Sequence, residues 1–129
     1  MKPSVLVLIA ENESEIRLVL QDSFEDGGFE VILASSGEEA IAALDANADT
    51  VRALLTDINL ETTVLGWDVA RHARELRPDL PVVYMTGGDG HEWAALGVPN
   101  SVLITKPFAP AQALTAVSQL LNVGNTPGA

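Results

Sequence analysis

The sequence predicts an α/β domain, an open parallel sheet of five strands with helices on its faces. Three observations predict it. Apolar runs of strand length alternate five times with helix-length amphipathic segments, and that alternation implies parallel strands joined by right-handed crossovers. The first run, Val5-Leu6-Val7-Leu8-Ile9-Ala10, is apolar throughout, as expected of a strand buried on both faces. Polar, chemistry-bearing residues stand directly after strands: Glu11-Asn12-Glu13 after the first, Asp57 after Val51 to Thr56, and Lys106-Pro107-Phe108 after Ser101 to Thr105. In open parallel sheets, ligands and chemistry gather at the carboxyl ends of the strands.

The elements follow in order. Strand one is Val5 to Ala10, and helix one runs from about Asn12 to Asp26. Asn12 is the expected N-cap, with Glu15 three residues on in an approximate capping box. Ile16, Val19, Leu20 and Phe24 form the apolar stripe, and Gly27-Gly28 stops the helix. Strand two is Glu30 to Ala34. Helix two follows Ser35-Ser36, with Ser36 and Glu39 at capping-box spacing. Strand three is Arg52 to Thr56, a loop covers Asn59 to Leu65, and helix three spans Gly66 to Leu76, ended by Pro78. Strand four is Pro81 to Met85, with proline tolerated at its first position. Gly87-Gly88-Asp89-Gly90 is a flexible loop before a short helix around His91 to Leu96. Strand five is Ser101 to Ile104. Helix five starts near Pro110 and ends by Asn122. The expected organisation is one domain over residues 1–123 and a disordered tail over 124–129.

Bulk composition excludes several classes. A chain of 129 residues with 47% hydrophobic content is long enough to bury one core. With no cysteine there are no disulfides and no thiol chemistry. No apolar stretch approaches the length of a membrane span, and the N-terminus lacks a signal-peptide pattern, so a cytoplasmic location is expected. The net charge of -11 repels nucleic acid and anionic membranes and favours basic partner surfaces.

Each candidate residue has an ordinary reading. Asp57 could cap a turn, Lys106 could be a surface lysine, Thr86 a strand-end hydroxyl, and Glu11, Asn12 and Glu13 a solvated helix start. Together they carry more. An acidic cluster, an aspartate, a threonine and a lysine follow strands one, three, four and five in that order. That set suits metal-assisted phosphoryl transfer to a carboxylate. The carboxylate attacks phosphorus in line. A hard divalent cation, an ammonium and a hydroxyl meet the charge on the transferring oxygens.

At this point the chain resembles a family, the receiver domains of two-component response regulators. The resemblance rests on Val5-Leu6-Val7-Leu8 with Glu11-Asn12-Glu13 and Ile16-Arg17, Leu55-Thr56-Asp57-Ile58-Asn59-Leu60, Gly66-Trp67-Asp68-Val69-Ala70, Pro81-Val82-Val83-Tyr84-Met85-Thr86-Gly87 and Thr105-Lys106-Pro107-Phe108. It implies a flavodoxin-like (βα)5 fold with strand order 2-1-3-4-5. It implies Asp57 as phosphoacceptor, served by a histidine kinase or histidine phosphotransfer protein, with Lys106 binding the phosphoryl group and Thr86 switching toward it. It implies a Mg2+ site at Glu11, Asn12, Asp57 and the backbone carbonyl of Asn59. Glu11 would reach the ion through water, and Glu13 would point away from the pocket. Phosphoryl transfer would be self-catalysed, not enzymatic turnover, and the downstream partner would be a protein. The chain looks like a stand-alone receiver. The Lys106-Pro107 bond is expected to be cis.

Three features depart from the family pattern, and one points to a sub-family. Asn12 stands where the direct metal-binding aspartate is expected, which predicts weakly bound Mg2+. Glu61-Thr62-Thr63-Val64-Leu65 lacks the common proline-glycine turn and is about one residue longer. Leu103 replaces the strand-five aromatic that partners the threonine. Tyr84-Met85-Thr86-Gly87-Gly88 partly resembles the stand-alone "FAT GUY" receivers. Asn12 also favours the alternative reading, a pseudo-receiver that binds partners without being phosphorylated. Haloacid-dehalogenase-type phosphatases need a second aspartate where Asn59 stands, and flavodoxins need a Ser/Thr/Gly-rich loop where the acidic cluster stands. Arg71, Arg74 and Arg77 read as a solvated face, His72 and His91 as residues without a partner pattern, and Trp67 and Trp93 as packing residues.

Overall fold

Five parallel strands, β1 (Val5–Ala10), β2 (Phe29–Ala34), β3 (Val51–Asp57), β4 (Val82–Thr86) and β5 (Val102–Thr105), form one sheet in the order β2-β1-β3-β4-β5. The helices are α1 (Ser14–Asp26), α2 (Gly37–Ala46), α3 (Gly66–Leu76), α4 (Trp93–Leu96) and α5 (Pro110–Asn125), with a 3-10 turn at Gly90–Glu92 leading into α4. These elements are those of a computed structural model, which describes residues 5–88 and 90–125. The fold class is the one the sequence predicts, and the strand order is the one the family resemblance implies.

Alternation along the strands divides the core in two. Val7, Ile9, Ala53, Leu55, Val83 and Met85 pack against Leu20 and Phe24 of α1 and Ala113 and Val117 of α5. Leu8, Ala10, Leu54 and Tyr84 pack against Leu44 of α2 and Trp67, Ala70 and Ala73 of α3. Successive strand residues face opposite sides, so each central strand feeds both layers. Each fully buried Leu, Ile or Phe in these layers contributes about 1.5–3 kcal/mol. The β3 register places Asp57 opposite Met85, one position short of Thr86.

Several expectations are corrected. Helix α1 begins at Ser14 with Glu13 as N-cap, not at Asn12. The reason is that Glu11 Oε2 accepts the Glu13 N–H at 3.0 Å, so the side chain that satisfies the helix start comes from the end of β1. Helix α2 keeps its Ser36 cap, which accepts the Glu39 N–H, but Glu39 reaches back to Ser35. β2 begins at Phe29, and Pro81 precedes β4 while its carbonyl accepts the Leu54 N–H at 2.9 Å. Helix α5 continues to Asn125, three residues beyond the expected end at Asn122. Residues 126–129 of the expected tail lie outside the described residues. Arg74 and Arg77 are not a solvated face. Arg74 donates to the carbonyls of Leu80 and Pro99, and Arg77 to that of Val51, so both tie the end of α3 to neighbouring loops and strands. Arg71 is exposed and pairs with Asp68 at 2.7 Å. His72 has a partner after all, Asp45 Oδ1 at 2.7 Å, because α2 and α3 pack side by side. Trp67 is a packing residue, 4.8 Å from Tyr84 between ring centroids.

Candidate phosphoacceptor site

The carboxyl ends of β1, β3, β4 and β5 meet at one edge of the sheet. β3 lies at the centre, and its pairing continues past Asp57, since Ile58 N–H donates to the Met85 carbonyl at 3.0 Å. The Glu11 N–H similarly donates to Ala34 at 3.0 Å, and the Lys106 N–H to the Thr86 carbonyl at 2.7 Å. Backbone bonds thus extend each strand by one residue and fix where Glu11 and Lys106 sit. The Lys106–Pro107 peptide is cis, as expected. Gly66, which opens α3, lets that helix pass over the site. A Cβ there would lie 2.2 Å from the Asp57 carbonyl oxygen, so no other residue fits without moving the backbone.

Lys106 joins the acids. Its Nζ lies 2.9 Å from Glu11 Oε1 and 3.0 Å from Asp57 Oδ2. Glu11 is fully buried and Asp57 is 5% exposed, so this ion pairing is largely shielded from water. Burial first, then the charge of Glu11, raise the Asp57 pKa to about 6, while Lys106 and the Asn59 N–H at 3.3 Å pull against that rise. Burial works to lower Lys106, but its hydrogen bonds to Glu11 and Asp57 and their charges outweigh burial and raise it. Lys106 is therefore a committed cation. One ammonium closely faces the carboxylates of Glu11 and Asp57, with that of Glu13 at 3.9 Å, so acidic side chains outnumber the cation here.

Direct contact thus unites Glu11, Asp57 and Lys106. Asn59 joins through its backbone. Thr86 sits at the same edge, 2% exposed, with its hydroxyl accepting the Gly88 N–H at 3.1 Å. Asn12 is half-buried. Glu13 does not turn fully away, since its Oε1 is 3.9 Å from Lys106 Nζ. Two residues matched the family stretches in the sequence without being given a role at the site. Arg17 Nη1 donates to the Glu11 carbonyl at 2.8 Å, bracing the acidic turn from one turn into α1. Gly66 could be recognised only once α3 was seen to cross Asp57.

A family model of the response regulator receiver domain matches residues 7–118. The chain belongs to that family. It is a receiver domain of two-component signalling. A response regulator receiver protein of Sinorhizobium medicae WSM419 has a similar structure, with 43% identity, a TM-score of 0.88, and coverage of 92% of this chain and 95% of that one. A CheY-like receiver domain protein of Methanospirillum hungatei JF-1 shares the fold, with a TM-score of 0.86 at 22% identity over 98% of this chain and 100% of the other. Response regulator SaeR of Staphylococcus aureus (strain USA300) is 29% identical over 117 residues, which are 89% of this chain and 50% of SaeR. The receiver therefore spans about half the length of the curated relatives it matches. Among the described residues no helix is long and apolar enough to cross a membrane.

The acidic pocket offers the oxygen donors that a hard divalent ion takes. Among the described residues no group of three or more His, Asp or Glu side chains is arranged to hold a metal. Mg2+ commonly makes do with one or two carboxylates, waters and substrate phosphate. Asp57 would supply a carboxylate, Glu11, whose oxygens meet Lys106 and the Glu13 N–H, would act through water, and Asn12 and the Asn59 carbonyl would add uncharged oxygens.

Proposed function

We propose that this receiver accepts a phosphoryl group on Asp57 from a histidine kinase or histidine phosphotransfer protein, and signals by phosphorylation-dependent binding of a partner protein. The observation that carries the reading is the Lys106 ammonium held between Glu11 and Asp57 at the end of the central strand. A cation at that point meets charge that develops on a phosphoryl group attached to Asp57. An Asp57 carboxyl with a pKa of about 6 is roughly tenfold more ionised than protonated at pH 7, so the nucleophile is available.

In the proposed transfer, an Asp57 carboxylate oxygen forms a bond to phosphorus while the donor's phosphorus–nitrogen bond breaks in line; the bond's electron pair stays on that nitrogen, and the proton already on the other ring nitrogen makes the departing imidazole neutral. Lys106 exchanges part of its contact with the carboxylate for the phosphoryl oxygens. The Thr86 hydroxyl leaves the Gly88 N–H to meet the same group. Glu11, Asn12, Asp57 and the Asn59 carbonyl would hold Mg2+, which when bound neutralises phosphoryl charge. The donor's surface is proposed to dock on α1. Leu18 and Val19 there are 57% and 50% exposed. Val19 lines a groove of about 530 Å3 together with Ile16, Lys106, Pro107 and Phe108.

Asn12 favours one rival, a binding module that keeps the fold without being phosphorylated. Beryllofluoride separates the two. With Mg2+ it should perturb Trp67 fluorescence in the wild type and not in Asp57→Asn. No response in the wild type would favour the rival.

A further inference from the structure

The loop between β3 and α3, which begins directly after Asp57, is fastened to the start of α2. A Cβ on Gly37 would lie 2.5 Å from the Val64 carbonyl oxygen, 2.6 Å from Val64 Cγ1 and 2.7 Å from Val64 Cβ. All three nearest atoms belong to Val64, so the loop rests directly on the first residue of α2. Gly37 is not among the residues with positive φ. It supplies space and not a special conformation. The next residue of α2 adds a polar contact, because the Thr62 hydroxyl donates to Glu38 Oε1 at 2.9 Å.

The same loop has two further anchors. At its start, Asn59 Oδ1 accepts the Glu61 N–H at 3.0 Å and Glu61 adopts φ 58°, a left-handed turn that asparagine side chains stabilise. At its end, Gly66 N–H donates to the Ile58 carbonyl at 2.8 Å, over the Asp57 backbone. Leu60 is buried between them, 1% exposed. A segment held at both ends and in the middle has few arrangements open to it. Strain introduced at Val64 is therefore passed toward the anchors at Asn59 and Ile58, which follow Asp57 directly in the chain.

We propose that Gly37 and Glu38 of α2, with Thr62 and Val64 of the loop, form a positioning tie that sets the Asn59 carbonyl against Asp57 and so sets the divalent-cation affinity of the site. The inference rests on reading Asp57 and Asn59 as part of a phosphoacceptor site. It makes α2, which supplies no ligand, a determinant of cation binding. Groups that orient ligands from outside the coordination shell commonly change metal affinity by about tenfold or more. Gly37→Ala should weaken Mg2+ binding by about three- to tenfold.

The experiment measures Mg2+ affinity by calorimetry and by Trp67 fluorescence, and the rate of labelling by acetyl phosphate at limiting and saturating Mg2+. Leu44→Ala, a buried position seven residues beyond Gly37 near the other end of α2, is the control for lost helix stability. Gly37→Ala should bind Mg2+ more weakly and label slowly at limiting Mg2+, yet regain the wild-type rate at saturation. Leu44→Ala should keep wild-type affinity. If Gly37→Ala does not fold, Thr62→Val with Val64→Ala, which removes contacts without adding atoms, should weaken affinity about twofold to fivefold. Wild-type affinity in these tie variants, or an equal loss in Leu44→Ala, overturns the tie while leaving the phosphoacceptor reading intact. A wild-type protein that binds no Mg2+ overturns both.

Discussion

Neutralising Asp57 should make the metal-free protein more stable at neutral pH. The carboxyl is 5% exposed and its pKa is raised from 3.8 to about 6, chiefly by burial and then by the charge of Glu11. A carboxyl with a raised folded-state pKa favours the folded protein when protonated. That contribution is fully present below the unfolded value near 3.8 and is lost as pH rises through about 6. Two pKa units correspond to roughly 3 kcal/mol, and relaxation around the charge reduces this to about 1–3 kcal/mol. Asp57→Asn removes the charge with little change of shape and leaves Lys106 paired with Glu11 at 2.9 Å. The variant should exceed the wild type in stability by about 1–3 kcal/mol at pH 7, with the gap closing toward pH 4. A domain of this size gains about 4 °C in Tm per kcal/mol. The assay is urea unfolding and thermal melting of both proteins from pH 4 to 8, with chelator present. Glu39 and Asp68, whose pKa values are lowered by hydrogen bonds to Ser35 and Leu65, work in the opposite sense, but they are common to both proteins and cancel in the difference. A variant no more stable than wild type at pH 7, or a gap that does not change with pH, would refute the reasoning.

Three other outcomes follow from the same geometry. Asn12→Asp should tighten Mg2+ binding about tenfold by calorimetry, since it adds a carboxylate to the proposed ligand set at a net gain of about 1–2 kcal/mol after desolvation and repulsion; unchanged affinity would place Asn12 off the ion. Lys106→Met should lose about 2–4 kcal/mol in metal-free unfolding, because Glu11 and Asp57 are left buried without their cation, and Mg2+ should restore more stability to it than to wild type. Beryllofluoride should change amide exchange from Gly87 to Leu96, since a Cβ on Gly90 would lie 2.9 Å from Leu103 Cδ2 and 3.3 Å from Thr86 Cγ2, so Thr86 and Leu103 both abut that turn; change at β5 alone would contradict this.

Strand positions were legible because Val5 to Ala10, Val51 to Thr56 and Val82 to Met85 are apolar runs whose alternate residues serve two core layers. The meeting of Glu11, Asp57 and Lys106 was legible because strand ends in such a sheet converge. What failed depended on contacts between distant residues. Asn12 looked like the cap of α1, but the carboxylate satisfying that helix belongs to Glu11, which also holds Lys106. Arg74 and Arg77 looked solvated by spacing, yet carbonyls of Leu80, Pro99 and Val51 lie within their reach. Gly124 was expected in a disordered tail, but α5 runs through it to Asn125, a tolerance consistent with the cost of about 1 kcal/mol for glycine inside a helix. Gly37 carried no signal, since its requirement comes from Val64, which reaches it only in the folded chain.

The central claim is that Asp57 takes the phosphoryl group, and the direct measurement is mass spectrometry of the protein after incubation with acetyl phosphate and Mg2+, followed by reductive trapping and peptide mapping. The account predicts one phosphoryl group per chain, mapped to Asp57, dependent on Mg2+ and absent from Asp57→Asn. Equal labelling of Asp57→Asn, or a wild type that stays unlabelled at saturating Mg2+, would contradict it.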